Sequence, residues 1–327
     1  MAVSMSDVAR HAGVSQRTVS NVVNNYVHVS PATRARVQAS LDALGYRPNT
    51  AARRLRTGRT GTVTLAVPTF RERYFADLAE AIVAAARDRG TTVLVETTGG
   101  RRETELELLR GGGDVLTDGV IMSAVSLGRG DRRGAHPVVL VGDREPGSTI
   151  DHVGIKNREA AEAAVTHLLE SGRRRILLLG ANHGPKRSYQ LRRQGYQAAL
   201  KKHGLDVDPE LILECDWTTA AAAAAITRTF GNLQPDGIFA MNDSSALGAL
   251  HALRRSGVDV PETVSVIGFD DIVESGLSTP TLSTVAPLLG EIAAGALDLL
   301  EEQLADDHVP QHRMAGYELR LRESTAR

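Results

Sequence analysis

The spacing of apolar positions along the 327 residues changes character once, near residue 60. Before that point the period is helical. Val8, Ala9 and Ala12 share one face of a short helix, and Val19, Val22 and Val23 stand at i, i+3 and i+4 of a second. Ser6 is expected to cap the first helix, with Asp7 suiting the dipole in its first turn. Gly13 ends it and Ser15 caps the next, so Gly-Val-Ser makes the turn of a helix-turn-helix. A third helix opens at Ser30-Pro31, buries Val37, Leu41 and Leu44, and stops at Gly45. Pro48 and Asn49 then begin a basic stretch, TAARRLR, in which Leu55 is the one large apolar residue.

From Thr62 onward, short apolar runs alternate with helical stretches. TVTLAVP, TTVLVE, GVIM, PVVLVG, RILLLG, GIFAM and VSVIGF are suited to buried parallel strands. Between most of them lie segments such as YFADLAEAIVAAARDRG and NREAAEAAVTHLLESG. This βαβ alternation predicts doubly wound parallel sheets, with too many strands for one sheet and hence two lobes. The expected division is a helical head over 1–47, a hinge helix and linker over 48–60, and an α/β body over 61–327. Within the body, lobe 1 is expected at 61–156 plus 286–312, and lobe 2 at 157–285 plus 313–327.

Charge sharpens the split. Residues 1–60 hold nine arginines, no lysine and two aspartates, a net of +7, which leaves −8 for the rest. A basic head on an acidic body attracts phosphate locally while the body resists non-specific sticking. Cys215, the only cysteine, excludes a disulfide framework and fits a reducing cytoplasm. The N-terminus has no apolar signal region, and no apolar run reaches the length of a membrane span, so neither export nor a membrane is expected. The sequence ends in LRLRESTAR without an apolar heptad tail, which gives no sign of coiled-coil tetramers.

With the valines of the second helix turned inward, Arg17, Asn21 and Asn24 face outward and Gln16 occupies the first turn. Arginine offers a fork to guanine, and glutamine or asparagine pairs with adenine. Thr18 and Ser20 suit phosphate oxygens. Candidate DNA contacts in the head are thus Ser6, Ser15, Gln16, Arg17, Thr18, Ser20, Asn21 and Asn24, and in the hinge Asn49, Ala52 and Leu55. Leu55 fits either a plain linker or a wedge between base steps in the minor groove.

In open parallel sheets, ligands bind beyond the carboxyl ends of the strands. Asp143 follows PVVLVG, Asn242 follows GIFAM, Asp270 follows VSVIGF, and Trp217 follows LILECD. Pro68 and Thr69 follow the first strand, with Tyr74 and Phe75 at the next helix start. Carboxylates accept paired hydrogen bonds from vicinal hydroxyls, and a ring covers the apolar side of a sugar. Each position also has an ordinary structural explanation: Asp243 reads as a helix cap, and Trp217 could simply pack between lobes. No cofactor is implied, for the chain lacks G-x-G-x-x-G, P-loop, G-x-S-x-G and H-E-x-x-H patterns. His308 and His312 are four apart, but Pro310 between them argues against a metal-binding helix.

DVARHAGVSQRTVSNVVN and VSPATRARVQASLDALGYRPNTAARRL resemble the N-terminal domain of the lactose/galactose repressor (LacI/GalR) family. GYQAAL, FAMNDSSALGAL, VIGFDD and TPTLSTV resemble its effector domain, which is similar to periplasmic sugar-binding proteins. The resemblance implies base reading by Gln16, Arg17 and Asn21, and a minor-groove wedge at Leu55 with Ala52 beside it. It implies effector contacts at Asp143, Arg192, Asn242 and Asp270, an aromatic wall at Trp217, and further contacts at Lys186 and Ser188. RYFADLAEAI is similar to the purine-binding branch at Tyr74 and Phe75. Lys186, Arg187, Arg192 and Arg193 fit a solvated basic helix face or an anionic effector. The expected protein is a homodimeric, effector-controlled transcription regulator, a repressor rather than an enzyme, on a pseudo-palindromic DNA operator. A sugar is the expected effector and a purine or nucleoside the alternative; a sugar-binding transport protein and a sugar-processing enzyme share only the body.

Overall fold

The computed structural model describes residues 3–23, 26, 28–46, 59–111, 117–128, 130–143, 148–181, 187–303 and 307–326. Asn24, Asn49, Ala52, Leu55 and Lys186 lie outside these residues. The chain divides into two compact units, Met1–Thr60 and Gly61–Arg327.

The first unit contains α1 (Met5–Ala12), α2 (Gln16–Val23) and α3 (Pro31–Leu44). They close over a core of Val8, Ala9, Ala12, Val19, Val22, Val37 and Leu41. Ser4, not Ser6, caps α1: its hydroxyl accepts from the Asp7 N–H at 3.3 Å, and the Asp7 carboxylate accepts the Ser4 N–H at 3.0 Å. This reciprocal box needs an acidic residue three positions on, and Ser6 is followed there by Ala9. Ser6 is instead an exposed first-turn residue. Gly13 ends α1 at φ +64°, a conformation that costs glycine nothing and lets the chain turn into α2. His11 Nδ1 meets the Ser40 hydroxyl at 3.1 Å, tying α1 to α3.

The second unit has two six-stranded sheets. The strands of the first are β1 (Thr62–Val67), β2 (Thr92–Thr97), β3 (Val120–Met122), β4 (Val138–Val141), β5 (Asp151–Ile155) and β11 (His312–Ala315), in the order β11-β5-β4-β3-β1-β2. All its pairings are parallel. The second sheet holds β6 (Ile176–Ala181), β7 (Ile212–Glu214), β8 (Gly237–Ala240), β9 (Ser265–Phe269), β10 (Ser283–Pro287) and β12 (Tyr317–Arg320), ordered β12-β10-β9-β8-β6-β7. Only the β10–β12 pairing there is antiparallel. Helices α4 (Arg73–Asp88), α5 (Arg102–Leu109) and α10 (Leu289–Glu302) accompany the first sheet. The second carries α6 (Asn157–Glu170), α7 (Arg187–Lys202), α8 (Thr219–Leu233) and α9 (Asp243–Arg255).

Both faces of each sheet are covered, which is why its strands read as nearly continuous apolar runs. The edge strands β2, β7, β11 and β12 are the exceptions. β2 leaves Leu94 and Val95 exposed, where the sequence suggested a buried strand. The chain passes between lobes at 155–157, 287–289 and 315–317. The first lobe thus keeps β11 through Ala315, beyond the expected boundary at 312, because those residues pair with β5. Gly195 permits the close approach of α7 to α6: a Cβ there would lie 2.2 Å from the Arg158 carbonyl. That approach brings Arg192 against the start of α6.

Candidate functional site

In the head, burial of Val19 and Val22 fixes the rotation of α2, leaving Gln16 and Arg17 exposed and Ser20 and Asn21 half-buried beside them. The Ser15 hydroxyl accepts from the Thr18 N–H at 3.1 Å and meets the Thr18 hydroxyl at 2.9 Å. The Ser15 hydroxyl therefore caps α2 with the Thr18 hydroxyl bonded to it, and any phosphate contact by either would be additional. The outward face of a second helix behind a tight turn has the shape that enters a major groove.

In the body, a cavity of about 590 Å³ lies between the strand ends of the two lobes. Tyr74, Phe75 and Asp143 line it from the first lobe, and Ser188, Arg192, Trp217 and Asp270 from the second. Asn242 does not line it. Its side chain caps α9 by accepting from the Ser245 N–H at 3.0 Å and donates to the Trp217 carbonyl at 3.2 Å, so it stands behind the aromatic wall. The cap is thus Asn242 rather than Asp243. One residue further on, Asp243 is fully buried and accepts from Thr284 at 2.5 Å, Ser275 at 2.7 Å and the Ile272 N–H at 3.1 Å.

That buried carboxylate anchors the turn after β9, where Asp270 and Asp271 hold φ of 118° and 55°. Non-glycine residues sit in this region at a cost, and the Asp243 bonds together with the Asp271–Arg322 ion pair at 2.6 Å over-determine it. Burial pushes the Asp243 carboxyl up to about 6.

Arg192 is the only cation buried in the cleft among the described residues. Its guanidinium carbon lies 3.4 Å from the Phe269 ring centroid and 5.5 Å from that of Trp217. Its donors reach the Asn157 amide oxygen and the Met241 carbonyl, and a third nitrogen lies 3.6 Å from Asp270. Burial raises the carboxyl pKa of both Asp143 and Asp270, most at Asp270, and Arg192 is the largest influence opposing it. The Tyr74 hydroxyl is also pushed up, by burial and then by Asp270. The pocket therefore presents two desolvated carboxylates, a buried cation whose donors are committed, the half-buried Arg187 and three aromatic rings.

Several groups that line or support the cavity carry no mark in the sequence. Glu105 is fully buried and accepts from the N–H groups of Val125 and Ser126 at 3.0 and 2.9 Å, fixing the loop after β3 that forms one wall. The strand-end rule applied to GVIM would have pointed to this loop. Asn157 and Glu72 also line the cavity. Among the described residues, no group of three or more His, Cys, Asp or Glu could hold a metal ion, and no helix is long and apolar enough to cross a membrane.

A helix-turn-helix head and a two-lobed body with a ligand cleft define a DNA-binding protein under small-molecule control. The profile of bacterial regulatory proteins of the lacI family matches residues 4–49, and that of the periplasmic binding protein-like domain matches 165–325. The chain is 33% identical to the HTH-type transcriptional repressor CytR of Escherichia coli K12, covering 99% of this chain and 96% of that one. It is 31% identical to catabolite control protein A of Priestia megaterium, over 94% and 95%. A LacI-family regulator from Sanguibacter keddieii aligns with a TM-score of 0.75 at 39% identity, over 82% of this chain and 99% of that one. The operator-bound lac repressor dimer aligns at 0.81 with 25% identity, over 99% of both. The chain belongs to the lacI family of bacterial regulatory proteins. It is a DNA-binding transcription regulator with an effector-binding body, and the relatives that match it are regulators rather than enzymes.

Proposed function

We propose that this protein is a cytoplasmic repressor, acting as a homodimer on a pseudo-palindromic operator and controlled by an uncharged, hydroxyl-rich effector, a sugar or glycoside. The arrangement of Asp143, Asp270 and Arg192 carries this reading. Both carboxylates face the cleft, while the donors of Arg192 are already taken by Asn157, Met241 and Asp270. Hydroxyl donors satisfy buried carboxylates, whereas an anion would add a third negative charge beside them. Trp217 and Tyr74 supply ring faces for the apolar side of a sugar. A related regulator, 30% identical, was solved as its cellobiose complex. Dimerisation is supported by apolar side chains left exposed on both lobes, Leu94 and Val95 on one and Val273 and Leu277 on the other.

A thermal-shift screen of cellobiose, other neutral glycosides, sugar phosphates, purine bases and nucleosides tests the effector. A neutral sugar at about a hundred times its Kd stabilises the native state by about 2.7 kcal/mol, and Asp143→Ala or Asp270→Ala abolishes that shift. Stabilisation by sugar phosphates alone would overturn the reading. Stabilisation by purines or nucleosides alone would establish the second reading, which three aromatic rings around one cavity favour.

In the head, Arg17→Ala is expected to cost about 1–3 kcal/mol of operator binding and to relax selection at one base pair in each half-site. Binding-site selection from random duplexes, run with both proteins, checks this. Unchanged selection would remove Arg17 from the base readers.

A further inference from the structure

Asn157 stands where the chain leaves β5 of the first lobe and enters α6 of the second. Asparagine at a helix start ordinarily caps it. Here Lys156 holds the cap position without a side-chain bond, and the amide bonds of Asn157 leave the helix altogether. The amide nitrogen donates to both oxygens of Asp143, at 2.9 and 3.1 Å. The amide oxygen accepts from Arg192 Nε at 2.8 Å. Asp143 follows β4 in the first lobe and Arg192 lies on α7 in the second, so one buried amide joins the lobes at a crossing strand. The chemistry fixes its orientation: a flipped amide would set N–H against N–H and oxygen against carboxylate.

We propose that Asn157 is the positioning residue that fixes the angle between the lobes and relays occupancy of Asp143 to Arg192 and Asp270. The proposal rests on the reading of this cleft as the effector site. A ligand that takes the Asp143 oxygens competes with the Asn157 amide for the same lone pairs. The amide in turn holds Arg192, whose guanidinium approaches Asp270. Hydrogen bonds weaken steeply within an ångström of stretch, so rotation about the crossing breaks one side of the bridge before the other. Two discrete arrangements at a pivot are what a switch requires.

The test needs neither DNA nor effector, so its failure is separate from failure of the ligand screen. Spin labels on cysteines introduced at Glu103 and Lys202, exposed positions on opposite lobes, report the inter-lobe distance in the full chain carrying Cys215→Ser. The wild-type residue is expected to give one narrow distance population, and Asn157→Ala to lose it. Asn157→Asp supplies a readout that packing alone would not move. Its new carboxylate still accepts from Arg192 but opposes Asp143, with Arg187 and Asp270 the other charges facing the site. That variant is expected to be broad at about pH 7.5 and narrow at about pH 5.5, where the two acids share a proton, while wild type stays narrow at both. An unchanged distribution in Asn157→Ala overturns the proposal, even if its melting temperature falls. A broad wild type, or an Asn157→Asp variant indifferent to pH, does so equally.

Discussion

Raising salt from about 50 to about 200 mM is expected to weaken operator binding by about 10³–10⁵-fold, the loss for a protein that neutralises about 6–10 phosphates. The head supplies the charge for it, a net of +7 over residues 1–60 against −8 for the rest of the chain. In the proposed homodimer, two heads on one operator would double the basic field at the DNA, while the acidic bodies would add none. Each neutralised phosphate releases a condensed counterion, and added salt opposes that release. Fluorescence anisotropy with an operator recovered by selection gives the logarithmic slope. A flat slope would mean that base contacts alone hold the complex, and the charge split would lose its meaning. Effector affinity should behave oppositely. The contacts proposed for it lie inside a cleft, to buried carboxylates, where screening is weak, so the same salt range should leave it almost unchanged.

Much of the architecture was legible because local chemistry and burial agree. Val19 and Val22 are buried as their spacing requires, Ser30 caps α3 with Pro31 behind it, and Gly45 closes it at φ +60°. The runs read as parallel strands pair in that way. β5 escaped because Asp151 and His152 interrupt its apolar pattern. The burial of Asp151 is satisfied by groups remote in sequence: His308 meets both its oxygens at 2.9 Å, and the Gln311 N–H donates to one at 2.8 Å. A pairing across more than 150 residues leaves no local trace. β2 misled in the other direction, since its composition is that of a buried strand and its place is an edge.

The site shows the same division. The strand-end rule located Asp143, Asp270 and Trp217, because a ligand crevice is set by where parallel strands stop. It also marked Asn242, which the structure places behind the cavity wall, its amide bonded in the α9 cap and to the Trp217 carbonyl. It could not reach Asn157, since that residue follows the strand the pattern missed. Glu105 was invisible for another reason. A glutamate on a short charged helix reads as solvated, and only the fold reveals that it binds two backbone N–H groups of a cavity wall.

Replacing Arg192 by leucine is expected to destabilise the body by about 3–5 kcal/mol at neutral pH, the usual cost of breaking a buried ion pair and stranding its partner. The side chain is 5% exposed and faces Asp270, itself 9% exposed. It is also the strongest influence holding down the carboxyl pKa of Asp143 and Asp270 against burial. Without it, both folded-state values rise further above the unfolded value of about 3.9. A group whose folded pKa is raised contributes stability that is complete below the unfolded pKa and is lost as pH rises through the folded one. The deficit of the leucine variant is therefore largest at about pH 7.5 and shrinks toward about pH 5, as the stranded carboxyls take up protons. Arg192→Lys keeps a charge but not the planar fork that spans Asn157, Met241 and Asp270, so it should fall between the two. Urea unfolding at both pH values decides the matter. Equal deficits at the two would assign the loss to packing against Phe269 and Trp217, whereas a deficit confined to the higher pH identifies Arg192 as the charge that allows two carboxylates to share one cleft.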